Sequence, residues 1–167
     1  MRCPSLSEDE PGRLRAVADY GLSAERGLPS LDPIVDMAAR MFACPASAVN
    51  MIGDDHVYLV SKHGIDDYNA SRDVSFCAHA INQDDVMVVE DASLDPRFAE
   101  NPLVTATPSI RFYAGAPLVS GSGHAIGTVC VIDHKPKTPD PEALDQLRFL
   151  AQQVMVRLEE RRGKPLA

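Results

Sequence analysis

At 167 residues the chain has the length of one domain, and its 45% hydrophobic and 24% charged residues suit an ordinary globular core. A net charge of −8 is the wrong balance for a phosphate-binding surface, which excludes nucleic acid or an anionic membrane as the main partner. It leaves open a small anion held by one or two local arginines.

Ser7 and Glu10 have the spacing of a capping box. A short helix is expected after them, with Leu14, Val17, Ala18 and Gly21 on its apolar face and a break at Gly27–Leu28–Pro29. A second helix is capped by Asp32 with Pro33 in its first turn. Ile34, Met37, Ala38 and Met41 recur along it at helical spacing, and Pro45 marks its end. Ala48–Ile52 and Val57–Ser61 read as strands joined by the turn Asp54–Asp55–His56, and a polar loop, 66–73, follows them. Ser75–Asn82 reads as a short helix with Ser75 as its cap, and Val86–Val89 as a short strand. The segment 91–109 carries Pro96, Pro102 and Pro108, and a stretch that long is functional or holds a short helix of its own.

The clearest hairpin is Arg111–Val119 with His124–Ile132, turned at Ser120–Gly123. Alternation puts Phe112, Ala114, Ala116 and Leu118 on one face of its first strand, and Arg111, Tyr113, Gly115 and Pro117 on the other. The second strand, AIGTVCVI, is apolar on both faces, so both are expected to be covered. Asp140 and Pro141 open a last helix with a heptad-like seam of Leu144, Leu147, Ala151, Val154 and Leu158. Hairpins with helices packed on the sheet make an α+β domain. Cys3, Cys44, Cys77 and Cys130 form no CxxC pair and read as reduced thiols. No apolar run approaches spanning length, and the acidic, polar start MRCPSLSEDEPG is unlike a signal peptide, so a cytoplasmic location is expected.

Four stretches, SFCAHAI (75–81), VVEDASLDPRF (88–98), IRFYAGAPL (110–118) and GTVCVID (127–133), resemble a subgroup of bacterial GAF domains, in family order and at plausible spacing. The resemblance covers residues 28–162, leaving 1–27 as an N-terminal polar segment with a helix and 163–167 as a tail. It implies a profilin-like antiparallel sheet of five or six strands, with the terminal helices on one face and a pocket on the other, roofed by the middle helix and loops. Such domains commonly dimerise through their terminal helices and accompany histidine kinases, diguanylate cyclases or regulators. On this resemblance Phe76, Cys77 and His79 belong to the pocket roof, Asp91, Asp95, Arg97 and Phe98 to the loop, and Arg111, Tyr113 and Gly115 to the pocket-side strand. Leu14, Val17, Leu147, Val154 and Leu158 are then the candidate dimer contacts.

The second strand departs from the subgroup at Tyr58–Leu59–Val60–Ser61–Lys62. Both the cyclic-nucleotide-binding signature and the Cys-His pair that attaches a bilin are missing. His79 fits a metal or haem ligand, a hydrogen-bond donor to a ligand, or a core histidine paired to backbone. Cys77 and Cys130, both in apolar runs, fit redox sensors or inert small hydrophobes. Arg97 and Arg111 fit a clamp on a carboxylate or phosphate, or internal salt bridges to Asp91 and Asp95. The seam of the last helix fits the domain core, a dimer interface, or both. The reading that follows is a non-catalytic sensory domain binding an unidentified small molecule, its cofactor unknown, and signalling as a homodimer. The alternatives are a GAF-type enzyme such as a free methionine-(R)-sulfoxide reductase, for which sequence spacing shows no resolving cysteine pair, and a structural dimerisation module. Small residues at Ala114 and Gly115 favour an open pocket over the last of these.

Overall fold

Helix α1 (Glu10–Asp19) starts where the Asp9 side chain accepts the Gly12 amide proton. The computed structural model describes residues 2–21, 27–65 and 70–162. The inward side of α1 is not the expected one. Arg13, Ala16 and Tyr20 are buried, Leu14 and Val17 are half-buried, and Ala18 and Gly21 are exposed. An arginine faces inward because backbone carbonyls at the end of the first strand need a donor, as described below. Helix α2 (Asp32–Met41) follows a 3-10 turn at Pro29–Leu31. Leu31 and Phe42, buried at its two ends, set its rotation so that Ile34, Val35 and Ala38 face the core. Met37, expected in the buried stripe, is 48% exposed.

Strands β1 (Ala46–Ile52) and β2 (His56–His63) form the first hairpin. The stretch read as a polar loop contains a short strand, β3 (Ala70–Ser71), paired with β2 and followed by a 3-10 turn. Residues 66–69 of that loop, and the expected tail 163–167, lie outside the described residues. Next come α3 (Phe76–Ala80), capped by Ser75, and β4 (Met87–Val89). The proline-bearing segment holds a 3-10 turn at Ala92–Leu94 and the short helix α4 (Pro102–Thr105). The second hairpin, β5 (Phe112–Val119) with β6 (Ala125–Asp133), leads into α5 (Pro141–Arg161).

The six strands are antiparallel in the order β3-β2-β1-β6-β5-β4. Strand alternation divides the core in two. Val49, Met51, Phe112, Ala114, Ala116, Leu118, Val129 and Val131 face α1, α2 and α5. Ala48, Ile52, Tyr113 and Cys130 face α3 and the loops. Both faces of β6 are covered, as its continuous apolar run requires. Leu147, Val154 and Leu158 are 0% exposed within the single chain, packed on the sheet. Their role is therefore core, and their side chains are not available to a second copy. The outward apolar residues of α5 are Phe149 and Val156, 57% and 50% exposed and one heptad apart. Tyr20, just past α1, donates a hydrogen bond to Glu159 of α5, and the Arg162 guanidinium, just past α5, lies 5.6 Å from the centroid of the Tyr20 ring.

Candidate functional site

Three central strands put small residues side by side beneath α3. Cys130 on β6 lies opposite Ala48 of β1 and Gly115 of β5. Over this floor α3 suspends Cys77, whose sulfur is 4.0 Å from that of Cys130. Tyr113 and Gly115 share a face of β5, and the ring of Tyr113 lies over Gly115. An added Cβ at Gly115 would stand 2.2 Å from the Tyr113 hydroxyl. The space that a glycine leaves is thus filled by a phenol, and the hydroxyl reaches Cys77 Sγ at 3.1 Å. Ala114 points to the opposite, helix-packed face, so neither small residue opens the pocket. Replacing Gly115 with alanine is expected to push Tyr113 off its site and cost about 1–3 kcal/mol, as overpacking does. Chemical denaturation of the variant measures this.

Asn50 completes the cluster. It faces the floor from β1, opposite Thr128 of β6, and its Nδ2 donates to Cys77 Sγ at 3.0 Å and to Cys130 Sγ at 3.5 Å. Asn50 Oδ1 and Thr128 Oγ1 are buried without a hydrogen-bond partner of good geometry. Hydrogen bonding with Cys130 lowers the Cys77 thiol against the opposing effect of burial, and Tyr113 and Asn50 add to the lowering. The Cys130 thiol is pushed well above its ordinary value, first by its hydrogen bond to Cys77 and then by burial. Burial also raises the Tyr113 phenol, with the two cysteines adding to the shift. A cavity of about 20 Å³ adjoins the cluster, walled by Phe76, Leu103, Ile110 and Ile132 as well. It has room for a guest of one or two heavy atoms.

Of the residues assigned to the pocket by resemblance, Phe76, Cys77 and Tyr113 line this cavity. The others surround it. Phe98 is fully buried and stacks on Phe76 with ring centroids 4.0 Å apart. His79 meets the edge of Phe98, and its Nε2–H donates to the Arg2 carbonyl at 3.1 Å. Burial lowers its pKa, so it is a neutral histidine paired to backbone. Residues 2–5 cross the roof here: the Arg2 amide donates to the Arg97 carbonyl, and Asn82 Nδ2 donates to the Ser5 carbonyl. Arg97 forms a bidentate ion pair with Asp95, and Asp91 caps the 3-10 turn at Ser93. Arg111 donates to the Val104 and Ile110 carbonyls and so holds α4 in place. Gly115 makes room for Tyr113. Sequence reasoning missed Asn50, although a lone amide in the apolar strand AVNMI was a signal that could have found it.

A second buried polar cluster lies at the end of β1. Arg13 Nη1 donates to the Ile52 carbonyl at 2.8 Å and its Nη2 to the Gly53 carbonyl at 3.2 Å. Arg72 Nη1 donates to the same Gly53 carbonyl at 3.1 Å. Glu10 pairs with both guanidinium groups.

A family profile described as GAF domain matches residues 29–158. The chain belongs to the GAF domain family. A cyclic di-GMP phosphodiesterase of Pseudomonas aeruginosa is 37% identical to this GAF domain over 164 residues. That alignment takes in 98% of the chain, which spans only 28% of the length of that relative. The GAF domain from an Acinetobacter phosphoenolpyruvate-protein phosphotransferase superposes with a TM-score of 0.68 at 16% identity, covering 96% of this chain and 98% of that one. A free methionine-R-sulfoxide reductase from Neisseria meningitidis, solved with its substrate, gives 0.66 at 18% identity, covering 99% and 100%. These structural likenesses establish the fold. A sensory and regulatory role follows from the family and from the phosphodiesterase relative. Among the described residues, no helix is long and apolar enough to cross a membrane.

Proposed function

We propose that this GAF domain is a non-catalytic, cytoplasmic sensory module. It takes a small molecule between α3 and the sheet, and passes the signal through its terminal helices in a homodimer to a histidine kinase or cyclic di-GMP enzyme. One observation carries this reading. Strands β5 and β6 floor the cavity with Tyr113 and Cys130 and, through Ala114, Ala116 and Val129 on their other face, carry α5. A change in how α3 rests on the floor therefore reaches α5 through two shared strands. An organic ligand pocket is typically about 300–1,000 Å³, so such a ligand must lift α3 and the Leu103–Ile110 wall. That opening gives the two states different affinities, which is the condition for a switch.

Native mass spectrometry of freshly purified protein, repeated after denaturation, tests the reading. A dimer carrying a small mass that denaturation releases is expected, and a ligand-free monomer would overturn it. With Leu147, Val154 and Leu158 committed to the core, a partner would meet Phe149 and Val156 on α5. Replacing both with glutamate is expected to give a monomer that keeps the native circular dichroism spectrum. Persistence of the dimer would reject this face.

The 4.0 Å approach of Cys77 and Cys130 supports a second reading, an enzyme similar to the free methionine-(R)-sulfoxide reductases. The cavity of about 20 Å³ does not admit free methionine sulfoxide without the same opening. Turnover of that substrate with a thiol reductant would favour the enzyme, and its absence the sensor.

A further inference from the structure

The sensory reading leaves the two buried sulfurs unused. Cys77 reaches the cluster from the roof helix and Cys130 from the central strand β6, so a bond between them would tie roof to floor. The Asn50 amide, at 3.0 Å, and the Tyr113 hydroxyl, at 3.1 Å, both aim their protons at Cys77 Sγ. Donors directed at a sulfur favour its thiolate, which is the nucleophilic form. Cys130 has the Asn50 amide at a longer 3.5 Å. The adjoining cavity of about 20 Å³ limits any guest to one or two heavy atoms. Asn50 Oδ1, buried in its wall with no partner, offers an acceptor for a guest O–H. Hydrogen peroxide is a guest that small, bears O–H and is open to attack by a thiolate.

We propose that Cys77 and Cys130 are a peroxide-oxidisable pair, in which Cys77 attacks hydrogen peroxide and Cys130 resolves the product into a disulfide between roof and floor. The Cys77 sulfur takes the nearer oxygen of hydrogen peroxide, the O–O bond breaks, and the departing hydroxide leaves as water with a proton from solvent. Cys77 is then a sulfenic acid, and the peroxide has accepted two electrons. The Cys130 sulfur attacks the sulfenic sulfur, the S–S bond forms, and the S–O bond breaks. The second hydroxide leaves as water with the Cys130 proton. In sum, two thiols and one peroxide give one disulfide and two waters. Closing 4.0 Å to a bond of about 2.05 Å takes a shift of about 2 Å. It falls to α3, a five-residue helix. The disulfide holds α3 down on the sheet and converts oxidant into a fixed roof position. This step needs no organic ligand, so it stands or falls independently of the ligand reading.

The test is titration of the reduced, full chain with hydrogen peroxide at pH 7, followed by alkylation and non-reducing peptide mapping. A peptide linking Cys77 to Cys130 is expected, while Cys44, whose thiol burial pushes up to about 12, stays alkylated. Replacing Cys130 with serine, or with alanine should the serine variant not fold, is expected to trap a sulfenic acid on Cys77 that a cyclic 1,3-dione labels. Tyr113→Phe removes one donor and is expected to slow Cys77 oxidation at pH 7 by about fivefold, with the loss recovered at higher pH. Oxidation confined to the exposed Cys3 would overturn the proposal, as would a sulfenic acid found on Cys130 and not on Cys77.

Discussion

Glu10→Ala is expected to be among the most destabilising single changes in this domain, at about 3–5 kcal/mol, the range for breaking a buried ion pair by removing one partner. Arg13 and Arg72 are 1% and 5% exposed, and Glu10 is the carboxylate that pairs with both. Without it two guanidinium groups keep their carbonyl partners but lose the counter-charge. The contribution also has a defined pH range. Burial alone would raise the Glu10 carboxyl, but hydrogen bonds from Arg13 and Arg72 outweigh it and hold the group down to about 2, against 4.5 ordinarily. A carboxyl depressed in the folded state stabilises fully above its unfolded value and loses that contribution as pH falls through its folded one. The stability gap between the native chain and Glu10→Gln is therefore expected to be constant above about pH 5 and to shrink from there towards pH 2. Denaturant midpoints at pH 7, 4 and 3 measure it. A gap that does not change with pH would show that the carboxylate charge is not what holds α1 to the sheet.

Leu158→Ala is expected to cost about 2–5 kcal/mol, the usual range for emptying a fully buried leucine site. Leu158 is 0% exposed and belongs to the larger core between the sheet and its helices. The same truncation at Phe149, which is 57% exposed, is expected to stay within about 0.5 kcal/mol, as surface changes do. Guanidinium denaturation of both variants, at concentrations where each is monomeric, separates the two faces of α5. Equal losses would mean that the helix is rotated from the position described. The pairing matters for signalling: a face committed to the core can pass a strand shift to the helix, and only the opposite face can pass it to a partner.

Much of the architecture was legible without coordinates. Alternation along 112–118 separated Phe112, Ala114, Ala116 and Leu118 from Tyr113, and those residues do face different cores. The apolar run of β6 announced cover on both sides, and Ser75 announced the start of α3. These features depend on residues within a few positions of one another, where strand and helix periods act directly. Errors came where a neighbour distant in sequence set the orientation. Helical spacing alone puts Met37 inward, but Leu31 and Phe42 anchor α2 with that side chain outward. Arg13 broke the apolar face of α1 because its partners, the Ile52 and Gly53 carbonyls, lie 39 and 40 residues away.

The site shows the same division. Motif resemblance assigned Cys77 and Tyr113 to one pocket, and both line the cavity beneath α3; the sequence by itself determined that Tyr113 and Gly115 would share one face of β5. It could not determine what fills the space. Gly115 reads as a gap until the Tyr113 ring is seen lying over it. Cys77 and Cys130, 53 residues apart, read as separate thiols until the docking of α3 brings their sulfurs within 4.0 Å. Asn50 became part of the cluster through the β1–β6 register. Periodicity reports which side of an element is buried. Which buried side chains meet depends on strand register and on how one element docks upon another, and those are set only when the whole chain packs.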